Sequence, residues 1–272
     1  MNDRWGGSPQ ADSLLQHQGT ASAEIARPLV KPESFSRLPA VPEPTVVKRS
    51  IPHTNGRREF MLQKDSLFVM QRDGWYHVIS EDYSYKSEPY YMILQHELED
   101  KPVRPSSRSV LDAYVVPCCL ERAKRAGIPV CEWGISQAYV PLPALLYGLN
   151  YFATSADFFV VDDNEQAKDV IKHITNKGKY PFCYQKLSEH ATVHSCTAIF
   201  GHTVKSCEAI AGSAKKCYDL FALPLVKMVF VQTDSTSDTN VALSSLAPVR
   251  YNHLTDEERA LLARYLEPRE VL

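Results

Sequence analysis

Residues 164–187 read NEQAKDVIKHITNKGKYPFCYQKL, and this stretch carries the strongest local signal in the chain. Asn164 is a helix-capping residue type. Ala167, Val170, Ile171 and Ile174 recur at a spacing that puts them on one helical face. The spacing predicts a helix over Glu165–Asn176, stopped at Gly178. Phe182–Leu187 then reads as a strand. One amphipathic helix feeding directly into a strand sets the theme for the residues on either side.

Downstream, Ser195–Phe200 reads as a strand, Lys205–Phe221 as a helix and Leu225–Gln232 as a strong strand. Ser235–Asn240 is a polar hairpin loop, and Val241–Val249 returns as the partner strand. Thr255 caps a last helix, Asp256–Tyr265, with Glu258 placed for a capping box. Upstream, Ala156–Val161 reads as a strand, and the apolar run Pro141–Tyr151 as a buried helix after a proline start. Ile128–Trp133 reads as a short strand. Ser109–Ala126 reads as a helix that Pro117 bends or breaks and Gly127 closes. Tyr90–Glu99 is a shorter helix ended by Pro102 and Pro105. Ser66–Met70 and Gly74–Ser80 flank an Asp73-Gly74 turn. Strands and helices mix without strict βαβ alternation, which predicts an α+β class with a mixed or antiparallel sheet and packed helices. No internal repeat is present.

Residues 1–46 read differently. Seven of the 18 prolines fall within the first 52 residues, among Ser, Gln, Ala and Gly. Apolar side chains are too scattered there to offset the entropy of ordering, which predicts a disordered tail before a domain over residues 47–272. The chain has 272 residues, is 44% hydrophobic and carries a formal charge of −2. The hydrophobic fraction is enough for a sizeable core, and the charge provides no global field toward nucleic acid or membrane. There is no apolar run of about 18 residues and no secretory signal pattern at the start. The seven cysteines fit no zinc spacing, and reduced thiols in a cytoplasmic protein are the simplest reading.

Motifs with chemistry are sparse. Cys118-Cys119 reads as a pair of small buried residues, because adjacent cysteines bridge only with strain. His190, His194, Cys196 and His202 crowd together, yet they lead into a strand and lack the Glu of a zinc-protease helix. Lys177-Gly178-Lys179 reads as a solvated turn. No GxSxG elbow, phosphate loop or GxGxxG fingerprint occurs. No catalytic residue, metal ligand or cofactor is assigned. The segment Asp82–Tyr91 is dense in tyrosine, a residue type suited to recognition surfaces and equally to packing an irregular connection.

That segment, Tyr83-Ser84-Tyr85-Lys86-Ser87-Glu88-Pro89-Tyr90-Tyr91 with Leu94, Glu97 and Pro105-Ser106, resembles a motif of the domain preceding RimK-like ATP-grasp ligases. The closing third is similar too, through Ile199-Phe200-Gly201, Leu220–Val226 and Ser244–Val249. Pro89 stands where that family favours Gly and Lys86 where it favours Gln, and the block from Ala113 to Glu189 matches poorly. Gly127-Ile128-Pro129 and Lys179–Lys186 carry a faint ATP-grasp likeness. Met228-Val229-Phe230 and Ser245–Pro248 offer no carboxylate to hold magnesium against phosphates. The resemblance implies an accessory or substrate-recognition protein for an ATP-grasp ligase subunit on another chain, with a peptide or amino-acid substrate. Tyr83, Tyr85, Lys86, Ser87, Tyr90, Tyr91 and Arg104 would form its binding surface, Lys86 and Arg104 facing a carboxylate. Two other readings stay open: a stand-alone ATP-dependent carboxylate–amine ligase or thiol enzyme, and an interaction module with no catalytic link.

Overall fold

The structure, a computed structural model, describes Lys64, residues 66–233 and residues 240–266, all within the unit Ile51–Leu272. The expected tail over residues 1–46 and most of the expected loop Ser235–Asn240 lie outside the described residues. Helices pack on antiparallel and mixed sheets, which makes the fold α+β.

The first sheet begins with a tight hairpin. Strands β1 (Phe68–Arg72) and β2 (Trp75–Ile79) pair in antiparallel register from Phe68↔Ile79 to Arg72↔Trp75. Asp73 and Gly74 take φ values of 51° and 79°. Two consecutive positive φ angles give the turn whose twist matches the flanking strands. Helix α1 (Glu88–Leu98) follows, with the Ser87 hydroxyl accepting from the Tyr90 N–H at 3.3 Å. Pro89 sits in its first turn, where a missing N–H costs nothing. The short strand β3 (Val103–Arg104) then joins β2 in parallel, placing Arg104 opposite His77.

The helix expected over Ser109–Ala126 is two helices. Helix α2 (Ser107–Tyr114) ends at Val115, which is extended, and α3 (Val116–Arg125) restarts with Pro117 in its first turn. Proline lacks the donor and crowds the preceding turn, so the break falls just upstream of it. At the far end, Ile128 N–H donates to Ala123 O at 2.9 Å and Gly127 N–H to Lys124 O at 3.1 Å. With Gly127 at φ 69°, this is a Schellman stop.

The middle of the chain forms a second sheet in the order β4-β7-β5-β6, from β4 (Trp133–Ser136), β5 (Ala144–Gly148), β6 (Phe158–Val161) and β7 (Phe182–Lys186). The run Pro141–Tyr151 is therefore not a helix. Its apolar core, Ala144–Tyr147, is fully buried as a central strand paired on both sides. A short, wholly apolar run fits either a buried strand or a buried helix, and Pro143 biases Leu142 before it toward extended backbone. The strand expected over Ile128–Trp133 shrinks to one bridge, Val130↔Leu243, with β4 beginning at Trp133. Helix α4 (Asn164–Ile174) joins β6 to β7. Its cap is Asp163, one residue before Asn164, whose carboxylate accepts from Glu165 and Gln166 N–H at 2.8 Å each.

The third sheet runs β11-β10-β8-β9, from β8 (Thr192–Ile199), β9 (His202–Thr203), β10 (Leu225–Gln232) and β11 (Val241–Ala247). Helix α5 (Glu208–Phe221) connects β9 to β10, starting three residues later than expected because Lys205 is left-handed. Helix α6 (Asp256–Leu266) closes the fold. Its capping box is reciprocal: Thr255 N–H donates to Glu258 Oε2 at 2.8 Å, and Glu258 N–H to Thr255 Oγ1 at 3.2 Å. The main core gathers Val78, Tyr83, Ile93, Phe221, Met228, Phe230 and Leu246 from the first and third sheets and their helices. No helix among the described residues is long and apolar enough to cross a membrane.

Candidate functional site

The tyrosine segment after β2 divides between core and surface. Tyr83 is fully buried, its hydroxyl donating to Val78 O at 3.1 Å and accepting from Ser80 N–H at 3.0 Å. Burial pushes its pKa well up, so it stays a neutral strut that folds the chain back on β2. Tyr90 is also buried, and its ring meets Tyr85 edge-on at 5.4 Å. Ser87 is spent on the α1 cap. Tyr83, Tyr90 and Ser87 therefore hold the segment in place. Tyr85 and Tyr91, each 57% exposed, and Lys86 remain at the surface.

The fold adds two residues to that surface that the sequence reading missed. The loop after β5 turns at Asn150, whose Oδ1 accepts from Phe152 N–H at 2.8 Å and whose Nδ2 donates to Ile174 O at 2.7 Å. The bonds present Tyr151 and Phe152, 71% and 87% exposed, beside the tyrosine segment. Lys86, left-handed at φ 72°, donates to the Tyr151 hydroxyl at 3.3 Å. Its ammonium lies 5.3 Å from the Tyr85 ring centre and 5.9 Å from that of Tyr151. Tyr151 and Phe152 meet edge-on at 5.6 Å. The Tyr151 hydrogen bond, then its partial charge and that of Tyr85, raise the Lys86 pKa. A cation resting on exposed rings is pre-positioned by them without being hidden from solvent. Exposed aromatic area around a fixed cation suits the recognition of a peptide segment bearing a carboxylate.

Arg104 works elsewhere. Its guanidinium lies over Trp75, 4.2 Å from the ring centre, and it is paired in register with His77. Lys86 and Arg104, both expected to face a carboxylate, make separate sets of contacts.

Where the second and third sheets meet, the seam is closed by polar side chains. Tyr147 from β5 shares a 2.7 Å hydrogen bond with Ser244 Oγ and donates to Ser245 Oγ at 3.1 Å. Ser245 Oγ donates to Ser155 O at 3.0 Å, and Gln185 Nε2 to Ser244 O at 3.0 Å. Tyr147, Gln185, Ser244 and Ser245 are fully buried. Met228, Val229 and Phe230, on the adjoining strand, are fully buried core residues.

Burial pushes the Cys131 and Cys196 thiols up to about 11 and those of Cys183 and Cys217 to about 12. Thiols held protonated are poor nucleophiles. Cys119 is buried as expected, whereas its neighbour Cys118 is exposed. His190 lies in an exposed turn, and His194 stands on β8, where its Nε2 meets Thr192 Oγ1 at 2.8 Å, so no helix presents the two together. Among the described residues no group of three or more His, Cys, Asp or Glu is placed to hold a metal ion. Cys131 and Trp133 help line a cavity of about 320 Å³.

No family model and no curated protein matches the chain. Solved structures do. The chain is similar to ATP-grasp ligases. The ligase PsnB, solved with minimal precursor, magnesium and ADP, matches at 14% identity and a TM-score of 0.46, over 65% of this chain and 66% of that one. The D-alanine–D-alanine ligase of Helicobacter pylori matches at 13% and 0.47, over 64% of each chain. A RimK-domain ATP-grasp protein of Sphaerobacter thermophilus matches at 12% and 0.45, over 64% of this chain and 76% of that one. The chain thus spans less than two thirds of the length of the first two. The matches fall on ATP-grasp proteins, two of these three named as ligases.

Proposed function

We propose that the chain is an accessory, substrate-recognition protein for an ATP-grasp-type peptide or amino-acid ligase. The observation that carries this reading is the placing of Lys86 over the exposed Tyr85 and Tyr151 rings, with exposed Phe152 packed on Tyr151, which turns part of a tyrosine-rich motif into an exposed docking platform. The resemblance of that motif to the domain preceding RimK-like ligases supplies the class of partner. On this reading the rings cover apolar side chains of the ligase or its peptide substrate, and Lys86 meets a carboxylate. The hydrogen-bonded seam around Tyr147 joins the sheets and leaves recognition to the platform.

The test is affinity capture from native cells under mild crosslinking, with the full chain and with a Tyr85→Ala/Tyr151→Ala/Phe152→Ala variant. An ATP-grasp ligase or its peptide substrate should be retained by the first and lost from the second, with both equally folded. Recovery of neither, or equal recovery by both, would sink the proposal. Purified chain that consumes ATP to join a carboxylate to an amine would establish the stand-alone ligase instead.

A further inference from the structure

Strand register places a group of basic side chains on a single face of the first sheet. Arg72 pairs with Trp75, Met70 with His77, and His77 with Arg104. Partners across a ladder share a face, and so do alternate residues along a strand. Arg72, Trp75, His77 and Arg104 therefore stand together, on the side facing Phe200, Tyr218 and Tyr265. The ring contacts agree: His77 lies 5.9 Å from Phe200, and the Arg72 guanidinium 5.8 Å from the Tyr265 ring centre. Both arginines act electrostatically on the Tyr218 phenol from the opposite wall.

The charges are unbalanced. Among the described residues Arg72 has one ion pair, at 3.6 Å to Asp73, whose side chain is 87% exposed. Arg104 has no carboxylate within ion-pair distance among the described residues; its plane rests on Trp75, leaving the fork of donors at its edge available. His77 is only 5% exposed; its ring hydrogen-bonds to the Arg72 backbone and feels Asp73, but its Nδ1 has no hydrogen-bond partner among the described residues. A buried imidazole nitrogen without a partner, beside two guanidinium groups, is costly unless something occupies the space next to it.

We infer that Arg72, His77 and Arg104 form a binding site for a small oxyanion, a carboxylate or a phosphate group, lying between the first sheet and Tyr218. The planar fork of Arg104 suits two oxygens of one ligand and Arg72 supplies a second charge. His77 Nδ1 completes the set once it carries a proton, which burial and the two guanidinium groups disfavour until an anion offsets them. The site is separate from the Lys86 platform and stands whether or not that platform binds a ligase.

The experiment follows the ring C–H resonances of His77 in the full chain during titration with sodium phosphate and, separately, sodium acetate, at ionic strength held constant with sodium chloride. The expected result is a saturable shift of His77 in at least one series. Tighter binding in the phosphate series marks a phosphate ligand, and in the acetate series a carboxylate. Arg104→Gln should weaken that binding tenfold or more with the amide spectrum otherwise preserved, and Arg72→Gln should weaken it less. Arg108→Gln, which changes an exposed arginine on α2, should leave it unchanged. The inference is overturned if His77 responds to neither anion, if chloride alone produces the same shift, or if Arg104→Gln binds as well as the parent.

Discussion

Replacing Tyr147 with phenylalanine should cost about 1–3 kcal/mol of folding stability, the penalty for stranding a buried hydroxyl. The tyrosine hydroxyl shares a 2.7 Å hydrogen bond with Ser244 Oγ and also donates to Ser245 Oγ at 3.1 Å. Ser245 keeps its bond to Ser155 O, so the loss falls mainly on Ser244, which is fully buried. The ring itself stays, so no cavity adds to the penalty. With a urea dependence of about 2 kcal/mol per molar, the unfolding midpoint should fall by about 0.5–1.5 M. Adding Ser244→Ala removes the stranded partner, so the double variant should be more stable than Tyr147→Phe alone, a coupling that a double-mutant cycle isolates. Urea unfolding of the four proteins, followed by fluorescence, measures all the terms. If Tyr147→Phe leaves the midpoint unchanged, water replaces the hydroxyl freely, the seam is wet and open, and its description as a closed joint is refuted.

Other perturbations test other parts of the account. Gly201→Ala should destabilise by roughly 1–3 kcal/mol, because φ is +76° there and the new Cβ would sit 2.8 Å from Tyr218 Cβ; thermal or urea unfolding reads this directly. Burial, then Arg104 and Arg72, lower the His77 pKa from 6.5, so the unfolded chain binds the proton more readily than the folded one. Its contribution to stability is complete above pH 6.5 and is lost as pH falls through the folded value; His77→Gln should flatten that part of the stability profile, and added phosphate should blunt it if the oxyanion site exists. Cys183 and Cys217, with pKa values pushed up to about 12, should resist alkylation at neutral pH until the chain is unfolded, which mass spectrometry of iodoacetamide-treated protein would show.

The parts of the fold legible in the sequence are those set by local chemistry. The Asp73-Gly74 turn, the Thr255–Glu258 capping box, the Gly127 helix stop and the face of α4 each depend on residues a few positions apart. Pro141–Tyr151 was misread because a short apolar run looks the same as a central strand and as a buried helix, and only its pairing with β6 and β7 decides. The site divides in the same way. Tyr83 and Tyr85 are the same residue type two positions apart, yet one is a buried strut and the other is exposed, because the chain reverses between them and β2. Tyr151 reaches Lys86, bringing Phe152 beside it, only through the folding of the loop after β5, a contact across 65 positions. Arg72, His77 and Arg104 come together through a parallel pairing of β2 and β3 that no local pattern announces.

The most direct test of the recognition role is site-specific photocrosslinking in native cells, with a photoreactive residue placed at Phe152 on the platform or at Leu98 on the surface of α1. The two side chains are 87% and 86% exposed, so accessibility does not distinguish them. The account predicts that an ATP-grasp ligase or its peptide substrate crosslinks from position 152 and not from position 98. Absence of both from the position 152 products, or equal yields from the two positions, would contradict it.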